Sequence, residues 1–158
     1  MEFKRMDVEK HTDIIIPFRR DSFYVSFGTD EGFGEDKDYI SWVQKHAVKY
    51  PDGFVLVLEN DKPIGQLELT TKAYKDNKIG YVHLYYLIPE KRGSGLGVKL
   101  HQYAVQFFKK QSVDEYHLRV SKTNSSARTF YQKLGMTEVG EEVNGKVIRM
   151  KGYVDKSF

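Results

Sequence analysis

The sequence predicts an α/β fold of the α+β kind, in which helices flank a central sheet. One observation is the alternation of apolar, β-branched segments with segments of helical periodicity, in the order β-α-α-β-β-β-α-β-α-β-β. Another is a glycine-rich turn that joins a tyrosine-rich strand to a long amphipathic helix. The 158 residues are 40% hydrophobic and 30% charged, without repeats or a linker, so we expect one domain over residues 1–158.

The first half of the chain is predicted to hold two helices between strands. Ile40, Val43 and Ala47 recur at helical spacing in the second of these helices. The segment between the helices, residues 26–36, holds three glycines and several acids and is predicted to be a mobile loop. The predicted elements are a strand at 3–6, helices at about 7–25 and 38–50, and a strand at 54–59.

The second half is predicted to be built around hairpins and two further helices. Asn60-Asp61-Lys62 and Asn144-Gly145 are typical of tight hairpin turns. Asn124 is a good N-cap, and Gly135 is typical of a helix end. The predicted elements are strands at 64–71, 80–88 and 116–120, a polar loop at 72–78, helices at about 95–111 and 125–134, and a hairpin of 137–142 with 147–151.

The segment Arg-Gly-Ser-Gly-Leu-Gly at 92–97 is the strongest candidate for a binding site. A glycine loop that opens a helix presents unpaired backbone N–H groups and the positive end of the helix dipole, which together can hold a pyrophosphate. The dinucleotide fingerprint is excluded because Val98 stands where its third glycine is needed. The Walker loop is excluded because Leu100, and not Ser or Thr, follows Lys99. A ligand-free strand-to-helix turn remains open on this segment alone.

A second motif lies at residues 124–136, with the sequence Asn-Ser-Ser-Ala-Arg-Thr-Phe-Tyr-Gln-Lys-Leu-Gly-Met. Together with Leu-Ile-Pro-Glu at 87–90, the glycine loop and the order of elements, it resembles the GNAT superfamily of N-acetyltransferases, in their single-domain bacterial type. Met136 stands where the family has Phe, which exchanges one apolar residue for another. The resemblance covers nearly the whole chain.

The resemblance implies the GNAT acyl-CoA N-acyltransferase fold, a central mixed but mostly antiparallel sheet flanked by helices, with acetyl-CoA as the acetyl donor. In the family the strand at 80–88 parts from the following strand, so that backbone groups near Leu87 pair with the pantetheine amides and meet the oxyanion. Asn124 would serve both as N-cap and as pantetheine contact, two roles that compete for one amide. The residues expected to bind the cofactor are Tyr86, Leu87, Arg92, Gly93, Ser94, Gly95, Leu96, Gly97, Val98 and Asn124.

Catalysis is expected to involve Tyr131 and His83. By resemblance, the Tyr131 hydroxyl faces the thioester sulfur, where a protonated phenol can donate a proton to the departing thiolate. Some relatives carry a catalytic glutamate at the position of Tyr81, which cannot act as that base here. Strand alternation predicts one face that carries Tyr81, His83, Tyr85 and Leu87. His83 is therefore the next candidate for the base, and Glu68 on the neighbouring strand is a third. The family often uses ordered water instead, so a dedicated base is not required.

The acceptor is expected to be a primary amine, on a small molecule or at a protein N-terminus or lysine. The acids of residues 26–36 would favour a cationic amine, or they merely form a solvated loop, with Phe27, Phe33 and Trp42 as apolar walls. A homodimer through the C-terminal strands is plausible. The alternative to an enzyme is a GNAT-fold sensor that binds acyl-CoA without turnover.

Composition predicts several absences. The net charge of +3 is mild and dispersed, which argues against nucleic acid as a partner. No apolar run approaches the length of a membrane span, and no export signal is recognised, so a cytoplasmic location is expected. The chain has no cysteine and five scattered histidines, which predicts no metal site.

Overall fold

The computed structural model describes residues 1–154, which form a mixed sheet flanked by helices. The strand order in this described part is β1-β2-β3-β4-β5-β7-β6, and every neighbouring pair except β4 with β5 is antiparallel. The predicted fold class is therefore confirmed. The elements are β1 (Glu2–Arg5), α1 (Val8–Phe27), α2 (Asp36–Lys49), β2 (Phe54–Glu59), β3 (Lys62–Tyr74), β4 (Asn77–Leu87), α3 (Leu96–Lys110), β5 (Glu115–Ser121), α4 (Ser125–Lys133), β6 (Thr137–Glu142) and β7 (Val147–Tyr153).

The segment predicted as a polar loop at 72–78 is instead the end of a long hairpin. β3 and β4 stay paired as far as Tyr74 and Asn77, and only Lys75 and Asp76 form the turn. Both turn residues have positive φ, 45° and 68°, the conformation that two-residue hairpins require. The prediction was wrong because the polar side chains belong to a sheet end that projects into solvent, where polarity does not distinguish strand from loop.

The helices cover the two faces of the sheet separately. α3 packs on one face, where the Phe108 ring stacks on Tyr116 of β5 with centroids 5.3 Å apart. Gly80 of β4 allows this approach, because a Cβ there would lie 2.4 Å from the Phe108 ring. α1 and α2 cover the other face, where the ring of Trp42 packs against that of Phe54 of β2 with centroids 5.6 Å apart.

A buried polar network joins α1 and α2 to β3. The Glu68 carboxylate is fully buried and accepts hydrogen bonds from Tyr39 Oη at 2.5 Å and Gln66 Nε2 at 3.1 Å. Arg19 Nε lies 3.4 Å from its other oxygen. Burial raises the pKa of Glu68 above its ordinary value, while Arg19 and the two donors oppose that rise.

The described residues lack two kinds of feature. Within residues 1–154, no helix is both long and apolar enough to cross a membrane. The same residues contain no group of three His, Cys, Asp or Glu side chains placed to hold a metal ion.

Candidate functional site

A cleft opens where β4 and β5 separate. The two strands pair only from Gly80–Tyr116 to Val82–Leu118, and beyond that point the described chain shows no ladder between them. This separation agrees with the expectation from the sequence. It leaves the β5-facing backbone edge of β4 without a strand partner and creates a cavity of about 480 Å³.

The cleft is walled by the end of α1, by both separating strands and by the start of α4. Its residues from α1 are Arg19, Ser22, Phe23, Val25, Ser26 and Phe27. Those from β4, β5 and the glycine loop are Tyr81, Val82, His83, Leu84, Tyr85, Tyr86, Leu87, Arg92, Arg119, Val120 and Ser121. The rest are Asn124, Ala127, Tyr131, Val143 and Val147.

A β-bulge at His83 changes which side chains of β4 share a face. Val82 pairs with Leu69 and Leu84 with Glu68, so His83 has no partner in the register. The expectation that Tyr81, His83, Tyr85 and Leu87 share one face was wrong, because one extra residue inverts the alternation beyond it.

The two sets of side chains therefore meet different helices. The centroid of the His83 ring lies 4.9 Å from that of Trp42 of α2 and 4.8 Å from that of Tyr81. The Tyr85 ring instead faces Tyr131 of α4, with centroids 6.2 Å apart. At the cleft, the sheet is thus covered by α1 and α2 on one face and by α3 and α4 on the other.

The glycine loop has the geometry of an anion-binding turn. Gly93 and Gly95 have φ of 74° and 84°, a left-handed conformation that side chains disfavour. Gly95 is the N-cap of α3 and provides no side chain, so the first N–H groups of a 15-residue helix remain available. A Cβ at Gly95 would meet no atom within 4 Å, so it would project into the open space over the loop.

Gly97 is required for a different reason. A Cβ there would lie 2.8 Å from the Phe130 ring of α4. Its absence lets α3 and α4 approach closely beside the cleft. Leu96 packs against the core, whereas Val98 is 40% exposed.

Arg92 links the glycine loop to β4 and α1. Its Nε donates to the Leu87 carbonyl at 2.9 Å, and its Nη2 pairs with the Asp21 carboxylate at 2.9 Å. Tyr86 Oη donates to the same carboxylate. Ser94 Oγ closes the loop on the Lys91 carbonyl at 2.7 Å.

The predicted cofactor residues fall into two groups. Tyr86, Leu87, Arg92 and Asn124 line the cleft. The others lie in the adjoining loop and first turn of α3, outside the lining, namely Gly93, Ser94, Gly95, Leu96, Gly97 and Val98.

Asn124 can take both of its expected roles with different atoms. Its Oδ1 accepts from the Ala127 N–H at 3.2 Å, which confirms the predicted N-cap. The amide nitrogen is not used by the cap, and the residue lines the cleft.

The two expected catalytic residues lie on opposite faces of the cleft. Burial raises the pKa of Tyr131 to about 12, so its hydroxyl stays protonated at neutral pH. Burial lowers the pKa of His83 to about 3, with smaller contributions from Lys72 and Arg19, so its ring is neutral and a weak base. His83 Nε2 is also hydrogen-bonded to Thr70 Oγ1 at 2.8 Å.

The structure adds three cleft residues that sequence reasoning missed: Tyr85, Arg19 and Arg119. The Tyr85 hydroxyl is buried and has no hydrogen-bond partner among the described residues, and burial raises its pKa well above 10. Strand alternation alone could have placed Arg119 on the β5 face opposite Leu118. No sequence signal identifies Tyr85, because its direction depends on the bulge.

The acids between the two first helices do not reach the cleft. Arg20 pairs with Asp30 at 3.0 Å and with Asp36 at 2.7 Å, and a short 3₁₀ turn at Glu31–Phe33 lies between them. No acid of residues 26–36 lines the cavity. Phe27 does line it, whereas Phe33 and Trp42 pack behind the wall.

Comparison of the chain with known proteins identifies a family, similar sequences and similar structures. The model of the acetyltransferase (GNAT) family matches residues 16–136. N-alpha-acetyltransferase 30 of Schizosaccharomyces pombe is 27% identical over 99 residues, which cover 61% of this chain and 66% of that protein. An uncharacterised N-acetyltransferase of Methanocaldococcus jannaschii is 28% identical over 115 residues, 70% of this chain and 51% of that protein. The chain thus spans about half to two thirds of these curated relatives.

A solved structure shares the fold over nearly the whole chain. The PaiA N-acetyltransferase of Thermoplasma acidophilum, solved with coenzyme A, has a TM-score of 0.71 at 20% identity and covers 96% of this chain and 98% of that one. At this level of identity, the likeness establishes the fold.

Proposed function

The chain belongs to the acetyltransferase (GNAT) family, and we propose that it moves an acetyl group from acetyl-CoA directly to a primary amine. Family membership makes the protein an acyltransferase. The observation that carries the finer proposal is the continuity of three features in one place. The glycine loop adjoins the cleft at Arg92, the unpaired edge of β4 runs along it, and Tyr131 lines it.

The donor would bind along the loop and the strand edge. The N–H groups of the loop and of the first turn of α3 would hold its pyrophosphate, and the fit is supported by the open space over Gly95. Backbone groups of β4 beyond Val82 would pair with the pantetheine amides, as an added strand would. The Asn124 amide nitrogen would donate to the same arm.

Tyr131 would serve the leaving group. Its hydroxyl is protonated and faces the cleft from α4, so it can donate a hydrogen bond to negative charge that develops on sulfur. When bound, acetyl-CoA supplies an activated thioester carbonyl. The protein's larger contribution is to hold the two reactants in reacting geometry.

A dedicated base is not needed for this chemistry. His83 is neutral but weakly basic, and the buried Glu68 does not line the cleft. We therefore favour loss of the amine proton to solvent in the open cleft. His83 would at most pass this proton on to solvent.

The acceptor class rests on the relatives. Those with similar sequences include one named N-alpha-acetyltransferase, and a ribosomal-protein-alanine N-acetyltransferase of Brucella melitensis shares the fold. A protein N-terminus is thus a natural candidate beside a lysine or a small amine. A single domain over residues 1–158, a cytoplasmic location and a homodimer stay predictions. The non-catalytic sensor is not favoured, since the family match is to acetyltransferases.

The test is release of the CoA thiol from acetyl-CoA in the presence of a panel of amines. The panel holds small amines, polyamines, free lysine and short peptides with free N-termini. We expect amine-dependent release of the thiol and acetylated product by mass spectrometry. Tight CoA binding without product from any amine would contradict the proposal and support the sensor.

A further inference from the structure

Three cations form a cluster at the end of the cleft where β4 and β5 begin to separate. We call Lys72, Arg119 and Arg149 the basic cluster. Arg119 and Arg149 are direct neighbours across β5 and β7. Both donate to one carboxylate, Glu142, each at 2.9 Å.

The basic cluster surrounds a residue of the cleft. The Lys72 amine lies 4.2 Å from the centre of the Tyr81 ring, and the Arg149 guanidinium lies 5.8 Å from it. Tyr81 and Arg119 themselves line the cavity. The basic cluster therefore lies on the face of the sheet that α1 and α2 cover, whereas Tyr131 comes from the other face.

Positive charge here exceeds the negative charge available. Glu142 is the one carboxylate that pairs with the cluster among the described residues. Loss of hydration and repulsion by Arg119 and Arg149 lower the pKa of Lys72 below its ordinary value.

The cleft is lined by arginines whose carboxylate partners, Glu68, Asp21 and Glu142, are not among the lining residues. Three guanidinium groups line it, those of Arg19, Arg92 and Arg119, and no carboxylate of residues 1–154 does so. Arg92 belongs to the loop expected to hold the donor. Arg119 belongs to the basic cluster, whose three cations share the one carboxylate of Glu142 among the described residues, so the field of this cluster would repel a second cationic group.

We propose that the acceptor is an amine that also carries a carboxylate, and that Arg119 and Lys72 bind this carboxylate while the amine faces the β4 edge. The inference rests on the proposed acetyl transfer and names the substrate class of the same site. The same positive field favours the neutral form of the amine, which is the reactive one. The carboxylate can belong to a small amino acid or to an acidic peptide N-terminus.

The test compares acceptors that differ in one carboxylate. The small pair is β-alanine and β-alanine amide. The peptide pairs are Asp-Ala-Ala-Ala amide and Ala-Asp-Ala-Ala amide with their Asn counterparts. We expect kcat/KM to be about tenfold higher or more for the acidic member of at least one pair, as for a charged hydrogen bond. The pair that responds identifies the source of the carboxylate.

Variants assign the effect to the basic cluster. Arg119→Gln and Lys72→Gln should each reduce about fivefold the ratio of kcat/KM for the acidic member to kcat/KM for the neutral member. The fold should persist in Arg119→Gln because Glu142 keeps Arg149 as its partner. Lys110→Gln, which removes an exposed charge at the far end of α3, is the matched control and should leave the preference unchanged.

Calorimetry tests the acceptor class independently of the proposed reaction. Binding of each acceptor to the protein saturated with CoA requires no turnover. Tighter binding of the acidic members, lost in Arg119→Gln, supports the inference even where no transfer is detected. Equal kcat/KM and equal affinity within every pair would overturn it, and acetyl transfer to the neutral amines would then still stand.

Discussion

Two side chains of the cleft have pKa values that burial shifts so as to keep both groups neutral. The pKa of Tyr131 rises to about 12, and that of His83 falls to about 3. Both shifts arise because the charged form of each group is poorly solvated in the cleft wall. Both neutral groups line the cleft, where Tyr131 can donate a hydrogen bond and His83 is a weak base.

The Tyr131 hydroxyl should matter to the chemical step and little to binding. At a pKa of about 12 it is a weaker acid than a thiol of roughly 8.5, so it donates mainly as negative charge builds on sulfur. We expect Tyr131→Phe to reduce kcat by about 10²–10⁴-fold with unchanged affinity for CoA. Steady-state kinetics and calorimetry measure the two quantities.

Leaving-group acidity provides the control for this assignment. Acyl donors with more acidic thiols need less assistance, so the loss in Tyr131→Phe should be smaller with them. Near-normal turnover, or the same loss for every thiol, would show that Tyr131 does not serve the leaving group.

His83 should make the protein less stable in acid. In the unfolded chain the imidazole titrates near 6.5, and in the folded chain at about 3. Between these values the unfolded state binds a proton that the folded state does not. The free energy of unfolding should therefore fall as the pH drops from about 6.5 towards 3, by about 1 kcal/mol per unit. Well above pH 7 the imidazole is neutral in both states, and the group no longer contributes to the pH dependence.

Urea unfolding of wild type and His83→Asn at pH 7 and pH 5 measures this contribution. His101 and His117 also have pKa values lowered by burial, but they are common to both proteins. The variant should lose less stability between the two pH values than wild type. Parallel losses would mean that His83 is protonated in the folded state.

At the scale of single elements, the turn into α3 uses its glycines for different purposes. Gly95 provides a left-handed conformation over open space, whereas Gly97 makes room for the Phe130 ring of α4. One position therefore concerns the backbone that would hold an anion, and the other concerns helix packing. The sequence alone does not distinguish these two roles, because both residues are glycines of the same loop.

Gly95→Val should abolish CoA binding in a folded protein. The side chain would project over the N–H groups of the loop and would disfavour a φ of 84°. Gly135→Val is the matched control. Gly135 follows the C-terminal end of α4, also has a positive φ of 93°, and has no atom within 4 Å of the position that a Cβ would occupy. Calorimetry should show CoA binding in the control alone, and unchanged affinity in Gly95→Val would exclude the loop as the phosphate site.

At the scale of the whole molecule, the Glu68 network fixes the α1–α2 face of the cleft to the sheet. Tyr39 comes from α2, Arg19 from α1 and Glu68 from the sheet, and Arg19 also lines the cleft. A buried carboxylate that loses a donor becomes costly. The network therefore couples the stability of the fold to the shape of the site.

Tyr39→Phe should lower the free energy of unfolding by about 1–3 kcal/mol, because it removes the hydroxyl donor from Glu68 while keeping the ring. Tyr24→Phe, at a residue that is 60% exposed, should change it by less than about 0.5 kcal/mol. Chemical unfolding of both variants measures the difference. A stable Tyr39→Phe protein would indicate that Glu68 is protonated and does not need the donor.

The sequence by itself determined the features that depend on neighbouring residues. The order of the elements, the cap at Asn124, the turn at Asn60-Asp61 with φ of 51° and 63°, and the glycine loop were all predicted, because caps, turns and periodicity arise from local chemistry. The site residues, such as Tyr131, were predicted from the resemblance of their motifs to a known family, and several of them line the cleft.

The tertiary structure decided everything that depends on register between distant strands. The bulge at His83 sends the Tyr85 side chain to the opposite face of the sheet. The pairing of Arg20 with Asp30, and the place of Arg119 beside Tyr81, likewise bring together residues far apart in the chain. Such contacts are set by packing across the sheet, and a single extra residue in one strand inverts every side chain beyond it.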